Sequence, residues 1–322
     1  MGHRAPFRAP NLKSVIGMED VVLAKINKEV AEGRVLGPFR SPPTPRLRVS
    51  PLGIVPKKAP GEFRLIHHLS YPRGRSVNDA IPDDFCTVHY TSFDSAVRKV
   101  RSRGPAAELA KCDIKSAFRL LPVHPLDFEL LGFQFNGLYY MDRALPMGCS
   151  VSCAAFESFS TFLEWALKSK SGLSGVVHYL DDFLFIGMSG SGECEFLLHS
   201  FQELADQLGV PLAPDKTEGP ATKLTFLGIE LDTVQQASSL PREKVFNLVD
   251  RIRAFVTRNK ATLREFQELI GHLNFACRVI APGRPFLRRL CDAISGVRLP
   301  HYHVRITRGI KADLDIWLQF LN

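Results

Sequence analysis

An α+β fold is predicted by three observations along the 322-residue sequence. Two apolar runs, Val176-Val177-His178 and Phe183-Leu184-Phe185-Ile186-Gly187, flank a short acidic turn and read as a β-hairpin. Apolar residues recur at helical spacing on both sides of it, at Ala154, Phe156, Phe159, Phe162, Leu163 and Ala166 and at Leu197, Phe201, Leu204 and Leu208. Beyond residue 240 the pattern turns wholly helical. Mixed strands and helices around a central hairpin are the signature of α+β layering.

In chain order, residues 19–35 show helical spacing and stop at Gly33 and Gly37. Residues 38–60 are rich in proline and basic side chains, which favours an extended, irregular path. The turn at Gly148 precedes a long helix expected to pack under the sheet, and the helix near 193–208 has its stop at Gly209. Pro241 suits a first helical position ahead of the stripe Val245, Leu248, Val249, Ile252 and Phe255, whose other sides carry Arg251, Arg253 and Arg258. Thr262 and Glu265 have capping-box spacing before Leu263, Phe266, Leu269, Ile270 and Leu273. Neither repeats nor low-complexity runs occur.

A 45% hydrophobic content allows a sizeable core, and the length suggests about two units. The net charge of +8 suits a surface that attracts a phosphate backbone, although mild basicity is common. Seven cysteines with no Cys-x-x-Cys pair argue against an oxidised framework and against a zinc module. Cys149 and Cys153 read instead as small buried residues in a reducing compartment. The first residues lack the apolar core of a signal peptide, Pro6 spoils a myristoylation pattern, and no run approaches the roughly 18 apolar residues of a membrane span. The expectation is a soluble, intracellular protein, cytoplasmic or nuclear, with no membrane partner.

The chemistry concentrates in Tyr179-Leu180-Asp181-Asp182. Burying adjacent carboxylates in an apolar surround is costly unless a cation sits between them. Alone, the string also fits a solvated Asp-Asp turn. A third carboxylate is available at Asp113, which ends the apolar run before Ile114-Lys115-Ser116-Ala117-Phe118. Were its strand beside the hairpin, Asp113 and Asp181 would bridge two divalent ions about 3.5–4 Å apart, the arrangement for in-line phosphoryl displacement. Mg²⁺ suits such a site because it prefers oxygen ligands and is completed by substrate phosphates. The alternative for Asp113 is a cap on a helix starting near Ser116.

Further motifs fall in a fixed order, and with them the chain resembles the reverse transcriptase family. Residues 50–58 with Gly61-Glu62-Phe63-Arg64-Leu65-Ile66 are similar to the family's fingers hairpin, and 113–118 to its motif A. Leu145-Pro146-Met147-Gly148-Cys149-Ser150 is similar to motif B, the acidic hairpin to motif C, 208–216 to motif D, and Leu224-Thr225-Phe226-Leu227-Gly228-Ile229 to motif E, the primer grip. Gly33-Arg34-Val35-Leu36-Gly37-Pro38-Phe39, His68-Leu69-Ser70-Tyr71-Pro72 and Ser76-Val77-Asn78-Asp79 most resemble retrotransposons of the DIRS type, which carry a tyrosine recombinase, with Gypsy-type elements as near neighbour.

The resemblance implies a right-hand polymerase of fingers, palm and thumb with an antiparallel palm sheet. It divides the chain into a lead-in over 1–49, fingers over 50–110, a palm over 111–235 and a helical thumb with the start of a connection over 236–322. It implies RNA-directed DNA polymerase activity on a primed RNA or DNA template, with dNTPs as substrates and two Mg²⁺ ions, replaceable by Mn²⁺, as cofactors. By that analogy Asp113, Asp181 and the Ile114 carbonyl hold metal, with Asp182 a weaker partner. Lys57, or Lys58 one residue on, and Arg64 clamp the triphosphate, where the arginine fork binds phosphate oxygens in pairs. Ser116 and Ala117 present backbone N–H groups at a helix start, and Phe118 is the ring that leaves no room for a 2′-hydroxyl. Gly148 allows close approach of the template–nucleotide pair. Met147 and Cys153 depart from the family's usual residues. Lys216 is the candidate general acid for pyrophosphate, with simple solvent exposure as the alternative, and Phe226, Leu227 and Gly228 seat the primer terminus. A ribonuclease H domain is not expected within the chain, so that nuclease and a recombinase are expected on other polypeptides. The rival readings are an RNA-directed RNA polymerase and an inactive, domesticated nucleic-acid binder.

Overall fold

A computed structural model of the protein describes residues 5–57 and 61–322, so the alternative clamp Lys58 and the first four residues lie outside the described part. The chain divides into two compact units, Met1–Lys99 with Ala110–Pro220, and Val100–Leu109 with Ala221–Asn322.

The first unit is built around a four-stranded sheet in the order Glu218–Ala221, Glu108–Asp113, Asp182–Gly187, Val176–Tyr179. Its last two strands are the expected antiparallel hairpin, with Asp182 paired to Tyr179 and Phe185 to Val176. Phe183, Leu184, Phe185 and Ile186 are all buried, so this strand is covered on both faces and reads as a continuous apolar run rather than an alternating one. The long helix Ser152–Ser171 and the helix Glu193–Gln207 pack on the sheet. Phe183 and Phe185 meet Phe201 at ring separations of 4.5 and 5.3 Å. Each such ring removed from water contributes about 1.5–3 kcal/mol.

Two expected core positions are not core. Phe162 is 45% exposed and Leu208 47% exposed. Both sit at the edge of an otherwise buried stripe, where spacing alone cannot tell the packed face from its margin. The first helix runs Glu19–Ala31 and ends at Gly33, whose φ of +71° reverses the chain. A five-stranded sheet then carries Val35–Phe39 beside Leu138–Asp142 and Gly132–Phe135. The separate hairpin Leu52–Pro56 with Phe63–His67 pairs Val55 to Arg64 and Leu52 to His67.

The second unit is mostly helical, as its stripe predicts. Leu248, Ile252 and Phe255 of Arg242–Val256 share one core with Phe266, Leu269 and Leu273 of Leu263–Ala276 and with Trp317 of Arg308–Leu321. Pro241 is the N-cap residue rather than the first helical one. The Thr262–Glu265 capping box forms in full, each side chain serving the other's backbone N–H. A small three-stranded sheet, Lys223–Phe226, Ile229–Asp232 and Ala237–Ser239, belongs to this unit. Among the described residues no helix is long and apolar enough to cross a membrane, and the cysteines are free.

Candidate active site

Asp113 is the last residue of the strand Glu108–Asp113, and the next backbone N–H, that of Ile114, donates to the Asp181 carbonyl at 3.0 Å. This bond ties the end of one strand to the tip of the acidic hairpin, 67 positions along the sequence. Asp113 therefore caps no helix. Leu180 takes a left-handed φ of +52° in the two-residue turn, an uncommon state for a branched side chain. Glu157, on the long helix, accepts the Leu180 N–H at 3.0 Å and steadies that turn. The other Glu157 oxygen lies 3.3 Å from His178 Nε2, while His178 Nδ1 pairs with Glu164 and its ring stacks on Phe183.

Lys216 reaches the same place from the far side. The Ala213 N–H donates to the Asp113 carbonyl at 2.9 Å and the Lys115 N–H to the Pro211 carbonyl at 2.8 Å, so residues 211–213 run beside the motif A strand. A short 3₁₀ turn, Pro214–Lys216, then delivers Lys216 Nζ to 2.9 Å from both Asp113 oxygens. The lysine side chain is 57% exposed, yet it is bound rather than merely solvated.

The electrostatics follow from burial. Asp182 is pushed up to about 6, first by desolvation and then by the charges of Asp181 and Asp113. Asp181 is raised by desolvation, opposed by its own backbone hydrogen bond and by Lys216 and Arg64, and reinforced by Asp113. Burial alone would lower Lys216, but the hydrogen bond and charge of Asp113 outweigh it and hold the amine raised, as the ammonium. Arg64 is thus close enough for its charge to act on Asp181.

These residues fit a divalent cation in a specific way. Half-buried acids that raise one another's proton affinity are a site that a cation relieves. No three His, Cys, Asp or Glu side chains form a ready cage among the described residues. Asp113, Asp181 and Asp182, with the Ile114 carbonyl, would therefore supply part of a shell that substrate phosphates and water complete, which is the habit of Mg²⁺.

The remaining expected residues fall in three groups. Lys57, Glu62 and Arg64 share one face of the fingers hairpin by register, and Lys57 Nζ pairs with Glu62 at 2.9 Å. Ser116 has φ +63° and opens only a four-residue 3₁₀ turn, Ala117–Leu120, so the expected helix start, with its dipole, is absent and single backbone N–H groups are what it offers. Phe118 in that turn packs edge-on against Phe156 at 5.6 Å. Met147 accepts from the His67 N–H at 3.0 Å, and a Cβ on Gly148 (φ +121°) would lie 2.1 Å from the His67 carbonyl. The glycine is thus demanded first by the strand behind it. Asn78 holds the same loop, donating to the Gly148 carbonyl at 2.8 Å and accepting from the Ser150 N–H at 3.0 Å.

Phe226, Leu227 and Gly228 belong to the second unit. Leu227 and Gly228 form the turn between two strands with φ of +48° and +76°. Phe226 is buried, whereas the turn residues Leu227 and Gly228 are partly exposed and are what this segment presents for contact. Lys244 donates to the Gly228 carbonyl at 2.8 Å and lies over the Phe275 ring. Glu157 and Lys244 escaped the sequence reading, and Asn78 and His178 were read only as parts of their strings, with no role of their own. Glu157 and His178 left one usable trace, a charged residue and a histidine within otherwise apolar stretches.

Residues 55–231 match the family model for reverse transcriptase (RNA-dependent DNA polymerase). The Gag-Pro-Pol polyprotein of Mason-Pfizer monkey virus is 23% identical over 63% of this chain and 11% of its own length. Protein P of duck hepatitis B virus (strain China) is 26% identical over 57% of the chain and 23% of its own length. The chain thus spans a small fraction of the curated relatives it matches. The foamy viral protease-reverse transcriptase, solved with double-stranded DNA, superposes with a TM-score of 0.74 at 19% identity, covering 100% of this chain and 50% of that one. The same protein solved with an RNA/DNA hybrid gives 0.73. The fold is that of the right-hand polymerases, α+β with an antiparallel palm sheet. With more than half of its length matched, the chain belongs to the reverse transcriptase (RNA-dependent DNA polymerase) family.

Proposed function

We propose that this chain is the polymerase region of a retroelement's RNA-directed DNA polymerase, which extends a primer 3′-hydroxyl with deoxynucleotides on a nucleic-acid template. The observation that carries the reading is the Ile114–Asp181 backbone bond, which sets the Asp113 strand end at the hairpin tip. Two Mg²⁺ ions held by Asp113, Asp181, Asp182 and the Ile114 carbonyl would supply Lewis-acid activation of the primer hydroxyl and charge neutralisation on the triphosphate.

The chain's own residues then divide the work. Arg64 and Lys57 would take the triphosphate, Lys57 exchanging its exposed partner Glu62 for phosphate oxygens. Ser116 and Ala117 would add backbone N–H donors. Phe118 would lie under the sugar and disfavour a 2′-hydroxyl. Lys216, kept as the ammonium by Asp113, is placed to give its proton to the departing pyrophosphate. The turn at Leu227 and Gly228 would seat the primer end through its backbone.

The strings at 33–39, 68–72 and 76–79 support a DIRS-type origin. That origin fits with a recombinase supplied by another polypeptide, in an intracellular compartment. The test is primer extension with Mg²⁺ on a primed RNA, run beside Asp181→Asn. Deoxynucleotide incorporation by the wild type and its loss in the variant is the expected result. Equal signal from both, or preference for ribonucleotides, overturns the proposal.

A further inference from the structure

Between the Phe118 turn and the strand end at His67 lies a polar cluster that the reaction as described above does not use. Asp142 ends the strand Leu138–Asp142 and is 4% exposed. One of its oxygens lies 2.7 Å from Arg119, and the other takes His67 Nδ1 at 2.9 Å. Arg119 spends its other donors on Glu29 at 2.8 Å and on the Ala144 carbonyl at 3.0 Å. Glu29 in turn receives two further bonds from Arg34. A buried carboxylate whose two oxygens serve two different cationic or imidazole partners is fully used, and its geometry is correspondingly fixed.

What the two partners hold is the informative part. Arg119 directly follows Phe118 in the 3₁₀ turn Ala117–Leu120, so anchoring its guanidinium anchors the ring that would meet the sugar. His67 is the strand end on which motif B rests: its N–H donates to Met147, and its carbonyl occupies the space a Cβ on Gly148 would need. His67 also lies three residues along the same strand from Arg64. One carboxylate thus joins the gate, the motif B loop and the strand bearing a triphosphate clamp.

We infer that Asp142 is a positioning residue for nucleotide selection, setting through Arg119 and His67 the spacing between Phe118 and the Met147–Gly148 loop. The inference rests on the polymerase reading above and adds to it the part of the chain that sets sugar discrimination. Asp142→Asn keeps the side-chain size but removes the charge that faces Arg119, and it keeps His67 only as the tautomer that accepts at Nδ1 and turns its Nε2–H to the Gly132 carbonyl at 3.2 Å.

The experiment measures kcat and KM for dATP and for ATP on one primed template, for wild type, Asp142→Asn, Arg119→Lys and the adjacent exposed Arg143→Ala. The same proteins are tested for the dATP concentration that half-stabilises the primer–template complex, and for thermal midpoint. The expected result is a KM for dATP raised about tenfold with kcat within about twofold, a parallel weakening of dATP in the complex assay, and a smaller dATP-over-ATP preference. Arg119→Lys shares these changes and Arg143→Ala shows none. A lowered thermal midpoint with unchanged KM and unchanged sugar preference in Arg119→Lys, or in Asp142→Asn where that variant folds, overturns the inference and leaves the polymerase reading standing. A wild-type protein with no Asp181-dependent incorporation overturns the reading and the inference together.

Discussion

Asp182 and Glu265 place the same functional group in opposite circumstances. In the first unit burial and two neighbouring acids push Asp182 up to about 6. In the second, a hydrogen bond from Arg258 and the backbone and hydroxyl of Thr262 pull Glu265 down to about 2. One region gathers carboxylates that repel, strains Leu180 into a left-handed turn and recruits Glu157 to hold it. The other satisfies every partner of its capping box beside a large apolar core. Unrelieved burial and repulsion of carboxylates at one place and a fully paired carboxylate at another is the pattern expected when a site is held ready for a ligand by surroundings that are stable without it.

Four tests probe that contrast, from the largest effect to the smallest. Asp181→Asn or Asp113→Asn should cost incorporation about 10³-fold or more, the several kcal/mol a metal ligand supplies to phosphoryl transfer; single-turnover rates give the number. Glu157→Ala removes the acceptor of the Leu180 N–H and should lower kcat by about 10- to 100-fold through misplacement of the turn, while Glu157→Gln keeps an oxygen there and should remain within a few-fold.

Stability supplies the other two tests. The ordinary Asp value is near 3.9 and that of Asp182 is raised, so its contribution favours the fold below about pH 4 and is lost as pH climbs through about 6. Asp182→Asn should accordingly stabilise the metal-free protein by on the order of 1–3 kcal/mol at pH 8 and by almost nothing at pH 4. A variant no more stable than wild type at pH 8 would mean that neither burial nor the neighbouring acids penalise the Asp182 carboxylate. Glu265 runs the other way: its depressed value adds stability above about pH 4.3 that fades as pH falls towards 2. Because the group is partly exposed, Glu265→Ala should cost only about 1 kcal/mol in a denaturant midpoint at pH 7, and a larger loss would erase the asymmetry between the units.

Much of this architecture could be read from local spacing. The hairpin announced itself by two apolar runs around Asp181 and Asp182, the capping box by Thr262 and Glu265, and the helix end by Gly209. The order of the motifs placed Asp113 before the hairpin, but no spacing in the sequence states that the Ile114 N–H meets the Asp181 carbonyl. Lys216 and Asp113 stand 103 positions apart, and their pairing arises only because residues 211–213 line the strand end. The missing helix past Ser116 has a backbone cause downstream, Pro122, which biases Leu121 to the extended conformation and ends the segment after a four-residue 3₁₀ turn. Phe226 was expected to touch the primer, but in a strand a motif residue and its neighbours alternate faces, and this one faces inward.

Gly148 carries a consequence for how such sequences decay. Every single-base change that replaces a glycine either ends translation or brings in a residue with a β-carbon, and at this position that atom would lie 2.1 Å from a main-chain oxygen. The first replacement at that position therefore injures folding before it can injure nucleotide choice. In a library selected only for soluble expression, with no demand for DNA synthesis, position 148 should stay glycine while the neighbouring Met147 drifts.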